Sequence, residues 1–326
     1  MKRFGDHSDG KFSWIPAMVC VLILVVAGCV SPVVAPEVTG DVPDNFTYYF
    51  LAANNADPFY VDGIAGFEAA AAELGVKTEF VGPMDLNLAS QMKTFEELVN
   101  NPTTGGIFWY AMDFNAGEPM VKEAESRGIP VVIGAADSPF RTRSAFIGYD
   151  NTVLGEQAAD VAAALIGQKG RVGSIGVTGP GVVQRREAFE NRLREAYPEI
   201  EVVQTASHTG SADDAAKVLD AYMIANPDLA LLWWADGAAS QMVQPWREQR
   251  DAGTKTLFMA TDMPQATLEA VRDGVFVATV AQDTFTESFW GMRMLYAKKH
   301  GIRVPDTVFL GAMVLYQETV QEFIKK

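Results

Sequence analysis

Carboxylates, amides and aromatic rings recur in this chain at one kind of place, directly after short apolar runs. Those runs end in Asp57-Pro58-Phe59-Tyr60, Trp109-Tyr110, Tyr149-Asp150-Asn151, Ala235-Asp236, Thr261-Asp262 and Gln282-Asp283. Each residue taken alone reads first as a cap or a turn; Asp57-Pro58, for instance, is a capping side chain followed by a proline suited to the first helical position. Together they describe a polar cleft with aromatic walls. Planar rings stack on the apolar faces of a pyranose or furanose, and acids and amides accept hydrogen bonds from its hydroxyls. The acids also allow a second chemistry, since Asp57, Asp137, Asp236 and Asp262 could supply the paired carboxylates of a glycosidase. Turnover of a chromogenic glycoside separates the two. Other chemistries find no residues. Histidine occurs only as His7, His208 and His300, so neither a zinc site nor a histidine-based nucleophile is expected. Gly173-Ser174-Ile175-Gly176 lacks the glycine spacing of a nucleophile elbow. No cofactor, no metal and no catalysis are expected.

The elements that must position these residues alternate along the chain. Strands are predicted at Thr47–Ala53, Val76–Val81, Gly106–Tyr110, Ile129–Gly134 and Ala145–Gly148, with helices at Tyr60–Leu74, Ala89–Asn100 and Ala116–Arg127 between them. A second round follows. Its helices are Val153–Ile166, Val182–Ala196, Ala212–Ala225, Ala238–Ala252 and Gln265–Arg272, and its strands Arg171–Val177, Glu201–Thr205, Leu229–Trp234, Thr256–Ala260 and Val275–Ala281. A helix over Phe285–His300, a strand near Phe309–Leu315 and a short helix close the chain. Val-, Ile-, Leu- and Phe-rich runs that each lead into a helix indicate a parallel sheet covered on both faces. The units are too many for one open sheet, and two similar α/β lobes, each a doubly wound parallel sheet, are expected. In such sheets ligands bind beyond the carboxyl ends of the strands, where the acids and rings fall. Trp233, Trp234, Trp246 and Trp290 read as core or groove residues.

The first residues carry a different signal. Lys2, Arg3 and Lys11 precede an apolar stretch from Trp14 to Ala27, and Val26-Ala27-Gly28 leads directly into Cys29. The apolar core is shorter than the roughly 20 residues of a spanning helix, so the order reads as a secretory signal. It resembles a bacterial lipobox, in which Cys29 is lipidated and becomes the new N-terminus. Cys20 would leave with the leader, so no disulfide is expected in the mature chain. Residues 29–44, with Pro32, Pro36 and Pro43, read as an extended spacer. About 280 residues then remain, enough for one large domain or two medium ones. The net charge is −15, and because the leader is net positive the remainder is more acidic still. Such a surface repels nucleic acid and anionic headgroups.

From Asn45 onward the chain resembles type I periplasmic binding proteins of the ribose- and galactose-binding class, the substrate-capturing lipoproteins of ABC sugar importers. The landmarks are Asp57-Pro58-Phe59-Tyr60, Ile147-Gly148-Tyr149-Asp150-Asn151 with Gly155, Arg185 four residues before Phe189, Asp236, Thr261-Asp262 and Ala278-Thr279-Val280-Ala281-Gln282. Their order and spacing, rather than any one of them, carry the likeness. The resemblance implies two lobes discontinuous in sequence, 45–149 with 283–310 and 150–282 with 311–326. Three strands would cross between them, near Tyr149-Asp150, Gln282-Asp283 and Leu310-Gly311, as a hinge. It implies ligand contacts from the aromatics Phe59 and Tyr60, from Arg185 or its neighbour Arg186, from Asp262 and from the hinge residue Gln282. Asp57, Tyr110, Asp137 and Asp236 complete the candidate set. Sugar binders of this class commonly have asparagine at the position of Asp57, polar residues at those of Tyr110 and Ala235, and Asp-Arg near Gly134-Ala135-Ala136-Asp137. The pocket expected here is therefore less polar and more aromatic than a ribose site. A less hydroxylated, larger or modified sugar, a polyol or another small polar solute stays open. The partners implied are a small ligand, an ABC permease and, through the anchor, the extracytoplasmic face of a membrane, with the protein itself monomeric. A sensory lipoprotein serving a chemoreceptor or kinase is the alternative. A repressor core of the same fold would need a basic DNA-binding head where this chain has its leader.

Overall fold

Apolar runs that must be shielded on both faces become the central strands of two sheets. In the computed structural model, which describes residues 45–324, the first sheet is built from β1 (Thr47–Leu51), β2 (Lys77–Val81), β3 (Thr104–Trp109), β4 (Val131–Ile133), β5 (Ala145–Tyr149) and a late strand, β12 (Thr307–Leu310). β3, β4 and β5 are buried at every position, whereas the edge strands β2 and β12 alternate with solvent. Helices α1 (Tyr60–Leu74), α2 (Leu88–Asn100), α3 (Phe114–Ser126) and α9 (Thr284–Lys299) cover it. The second sheet contains β6 (Gly170–Gly176), β7 (Ile200–Val202), β8 (Ala206–Ser207), β9 (Leu229–Trp234), β10 (Leu257–Thr261), β11 (Ala278–Ala281) and β13 (Met313–Leu315). Its helices are α4 (Asn151–Leu165), α5 (Pro180–Ala196), α6 (Ala212–Ala225), α7 (Val243–Asp251) and α8 (Gln265–Arg272).

The sheets run β12-β5-β4-β3-β1-β2 and β13-β11-β10-β9-β6-β7, with β8 also on β6. All pairs are parallel except β11 with β13. Apart from its added last strand, each sheet repeats one doubly wound order, with the first strand of its round flanked by the second and third. The switch points lie between β1 and β3 and between β6 and β9, and the loops above them form the ligand crevice of such sheets. The chain passes from one sheet to the other after β5, after β11 and between β12 and β13. Residues 1–28, Cys29 and the 29–44 spacer, on which the secretion and lipidation readings rest, lie outside the described residues. Among the described residues no helix is long and apolar enough to cross a membrane.

Several boundaries differ from those expected, each for a local reason. The expected strand Val275–Ala281 starts at Ala278, because the N–H groups of Val275 and Phe276 turn back to the Ala270 carbonyl at the end of α8. The expected helix Ala238–Ala252 opens as a 3₁₀ turn over Gly237–Met242 and becomes α-helical at Val243. Pro245 thereby falls in the first turn of α7, where its missing N–H removes no intrahelical bond. The expected strand near Phe309–Leu315 is two strands in different sheets. Glu201–Thr205 ends early at Val202, and a separate pairing of Ala206–Ser207 with β6 follows. Trp233, Trp234 and Trp246 are core, but Trp290 is half exposed on α9.

Candidate binding cleft

The loops beyond β1, β3 and β4 face those beyond β6, β8, β9 and β10 across a cleft of about 490 Å³. Its aromatic wall starts after β1. Asp57 Oδ1 accepts the Phe59 N–H (3.0 Å), so the turn preceding α1 is fixed by the acid itself. Phe59 and Tyr60 then follow with ring centroids 5.1 Å apart, and Tyr110 lies 6.1 Å from Phe59 and 5.7 Å from Tyr60. The Tyr60 hydroxyl accepts the Ala53 N–H (3.2 Å). Buried Gln91 donates to the carbonyls of Ala52 (2.8 Å) and Tyr110 (2.9 Å) and accepts the Met112 N–H (3.1 Å), tying the ends of β1 and β3 together at the rim.

The opposite wall carries the charges. Arg185 stands on α5, where Gly155 of α4 lets the two helices meet: a Cβ on Gly155 would come within 2.0 Å of the Arg185 carbonyl oxygen. The guanidinium is buried, with Nε–H on Asn151 Oδ1 (2.9 Å) and Nη1 toward the Ala235 carbonyl (3.4 Å). Asp236 receives four donors: Val177 N–H (2.7 Å) and His208 Nε2 (3.0 Å) on Oδ2, Trp234 Nε1–H (3.0 Å) and Ala238 N–H (3.0 Å) on Oδ1. Burial alone would raise its pKa, but these donors hold it below the usual carboxylate value. His208 Nδ1 accepts the Gly210 N–H (3.1 Å), which leaves the ring proton on Nε2 for Asp236. Asp262 is only 3% exposed, and its backbone has a φ of 66°, a left-handed conformation that is uncommon outside glycine. Thr279 Oγ1 donates to its carbonyl (2.6 Å), while its carboxyl Oδ1 has no hydrogen-bond partner among the described residues. Burial pushes Asp262 up to about 7, with Asp236 and Asp57 adding to the rise and Arg185 opposing it. Gln282, on the crossing after β11, is buried, and its Nε2 is likewise unpartnered.

Thus the cleft brings together Asp57, Phe59, Tyr60, Tyr110, Arg185, Asp236, Asp262 and Gln282. Two expectations are corrected. Asp137 does not line the cleft; it is held by Arg143 (2.8 Å), whose side chain is fully buried, and by Arg141 (2.8 Å). Arg186, the second arginine considered, is turned aside to the Gly176 carbonyl and Ser207 Oγ (both 3.1 Å) and to Thr205.

Two residues of the site escaped the sequence. His208 follows a strand too short to be expected. Glu287 lies one turn into α9 on a stripe of Thr284, Ser288 and Gly291, and an acid on a buried stripe is the signal that marks it. It is fully buried, and its Oε1 accepts the Ala135 N–H (2.6 Å). The Ala135 carbonyl in turn accepts from Asn151 Nδ2 (3.0 Å). One chain of bonds therefore runs from Glu287 through Ala135 and Asn151 to Arg185. Burial pushes Glu287 up to about 8, so it is mainly protonated at neutral pH. Burial first, and the Glu287 carboxyl second, raise the Tyr110 and Tyr149 hydroxyls. Among the described residues no group of three His, Cys, Asp or Glu side chains is placed to hold a metal ion.

The lobes touch at glycines. A Cβ on Gly237 would lie 2.9 Å from Phe59 Cβ, one on Gly181 3.2 Å from Ala136 Cβ, and one on Gly210 2.9 Å from Leu86 Cδ1. Such an arrangement can enclose a small solute between two walls.

Known proteins show the same architecture. An ABC transporter solute-binding protein from Agrobacterium vitis, solved with α-D-tagatopyranose, is 25% identical over 86% of this chain and 99% of its own, with a TM-score of 0.77. One from Burkholderia graminis, in complex with D-arabinose, is 23% identical over 88% of this chain and 100% of its own, with a TM-score of 0.81. XylFII, solved in a XylFII–LytSN complex, is 21% identical over 84% of this chain and 99% of its own, with a TM-score of 0.77. No curated protein matches the chain. The periplasmic binding protein domain matches residues 48–301, and the chain belongs to that family of binding proteins.

Proposed function

We propose that this protein captures a sugar or sugar-like solute between its two lobes and delivers it to the permease of an ABC importer. The observation that carries the reading is the division of the cleft: Phe59, Tyr60 and Tyr110 present apolar ring surface from one lobe, and Arg185, Asp236 and Asp262 present hydrogen-bonding groups from the other. A pyranose or furanose offers both kinds of surface, so it contacts both walls only when the lobes are closed, and its binding energy favours the closed form. The tagatose and arabinose complexes of the structural neighbours support the same ligand class. Lipidation at Cys29 would keep this capture at the extracytoplasmic face of the membrane, and Cys29→Ser is expected to move the protein from the detergent phase to the aqueous phase in phase partitioning. The second reading, presentation of the solute to a chemoreceptor or sensor kinase, draws on the neighbour solved in complex with another protein.

The test is a thermal-shift screen of the purified protein against pentoses, hexoses, disaccharides, polyols and nucleosides. A ligand at 100 times its Kd adds roughly 2.7 kcal/mol, a shift of several degrees. The expected result is a hit that disappears in Asp262→Ala and Arg185→Ala. A hit that survives both variants would remove the cleft from the reading, and silence across every sugar and polyol would remove the sugar.

A further inference from the structure

The charge inventory of the cleft narrows the ligand class further, resting on the sugar-capture reading. Three aspartates line the cleft, Asp57, Asp236 and Asp262, and Arg185 is the one lysine or arginine among the lining residues. That guanidinium is engaged by Asn151 and by the Ala235 carbonyl rather than by a carboxylate. Asp236 is fully satisfied by its four donors, the His208 Nε2–H at 3.0 Å among them. Neither Asp57 nor Asp262 has an ion pair among the described residues, although the Arg185 charge acts on Asp262. They come from opposite lobes, one after β1 and the other after β10, and each bounds the same cavity. Asp262 is held in a left-handed backbone conformation, is 97% buried by its 3% exposure, and keeps Oδ1 unpartnered. A carboxylate enclosed without a counter-charge is costly, and the hydroxyls of a neutral sugar would offset less of that cost than a cation.

We propose that the ligand is a cationic amino sugar, with its protonated amine seated between Asp57 and Asp262 and its ring against Phe59. The ammonium adds a second positive charge to a cleft lined by three aspartates and one arginine, and it donates to one carboxylate from each lobe. Charge and closure are therefore coupled in a single contact. The electrostatics agree with this placement. Burial first, and repulsion from the other acids in addition, push Asp57 up to about 6 and Asp262 up to about 7, against the opposing charge of Arg185 on Asp262.

Isothermal titration calorimetry on the purified protein near neutral pH tests the proposal. The probes are D-glucosamine and D-galactosamine, the parents D-glucose and D-galactose, and the N-acetylated forms, which keep the nitrogen and lose the charge. Spermidine is the amine without a ring. An amino sugar is expected to bind at least about tenfold more tightly than its parent and its N-acetyl form, the range of a charge-assisted contact over a neutral one. Asp57→Asn and Asp262→Asn are expected to erase that preference, bringing the affinity ratio of amine to parent to about one whatever each variant loses in binding of the parent. Both preserve shape: asparagine can still accept the Phe59 N–H, and it tolerates the left-handed backbone at residue 262. An unchanged melting temperature for the variants confirms that they fold. A neutral parent or N-acetyl form that binds as tightly as the amine overturns the inference and leaves sugar capture standing. Binding of spermidine alone, or of none of the probes, overturns the inference, and sugar capture itself is then decided by the wider thermal-shift screen.

Discussion

Glu287 shows how much of this site is decided by side chains that the solvent never meets. It sits on α9 with Oε1 on the Ala135 N–H, at the start of the bond chain that ends on Arg185. Because burial raises its pKa to about 8, its neutral form resembles a glutamine in shape and hydrogen bonding. Glu287→Gln is therefore expected to change stability at pH 7 by less than about 1 kcal/mol, whereas Glu287→Ala leaves the Ala135 N–H without its acceptor and costs about 1–3 kcal/mol or more. The sign of the pH dependence follows from the same burial. Below pH 4 or so, folded and unfolded chains both hold the protons of Glu287 and Asp262; the ordinary values are about 4.3 and 3.9. Between there and the folded values of about 8 and 7, the folded state keeps protons that the unfolded state has lost. Stability therefore falls as pH rises through that window. The acids with lowered pKa values, such as Asp236, titrate below it and do not reverse the trend. Melting temperature measured from pH 5 to 9 should decline, and Glu287→Gln should flatten its upper part; equal slopes in the two proteins would place Glu287 in water.

At the scale of elements, the helix pair α4 and α5 sets the position of the arginine, and it does so through a missing side chain. Gly155 allows α5 to approach until its added Cβ would stand 2.0 Å from the Arg185 carbonyl and 2.9 Å from Ala188 Cβ. Gly155→Ala must push the helices apart, at an overpacking cost of about 1–3 kcal/mol. The same displacement carries Arg185 away from Asn151, so ligand affinity should fall more than stability does; loss of stability at full affinity would show that the arginine is placed by something else. This contact also shows why the sequence was legible where it was. Strand and helix order followed from apolar runs, because both faces of β3 to β5 and of β9 to β11 are covered and the composition of the strands had to show it. Residues directly after strands, such as Phe59, Asp236 and Asp262, could be placed at the cleft by that order alone. Asp137 could not, because only its partner Arg143 decides which way the loop after β4 turns. Nor could Glu287, whose role depends on Ala135, 152 residues earlier in the chain.

At the scale of the whole molecule, the arrangement described is the one in which the lobes meet, and glycines define how near they come. Gly237 faces Phe59 across the cleft, and an added Cβ would lie 2.9 Å from that side chain's Cβ and 3.3 Å from Asp262 Oδ2. Each lobe has its own sheet and its own buried clusters, so a larger side chain at residue 237 disturbs the contact between lobes rather than the core of either. Gly237→Val is thus expected to leave the melting temperature of the ligand-free protein within a few degrees, because the lobes can part to accommodate it. It should weaken ligand binding by more than about tenfold, because the closed form that contacts ligand on both walls is the form that valine opposes. Small-angle scattering distinguishes this from a merely local effect. The wild-type protein should contract when saturated with ligand, and the variant should stay expanded at the same ligand concentration. If the variant contracts and binds as the wild type does, Phe59 has moved aside and the meeting of Gly237 with Phe59 does not limit closure. If it stays expanded yet binds with undiminished affinity, one lobe holds the ligand alone, and the coupling between capture and closure, on which delivery to a permease would depend, is absent from this protein.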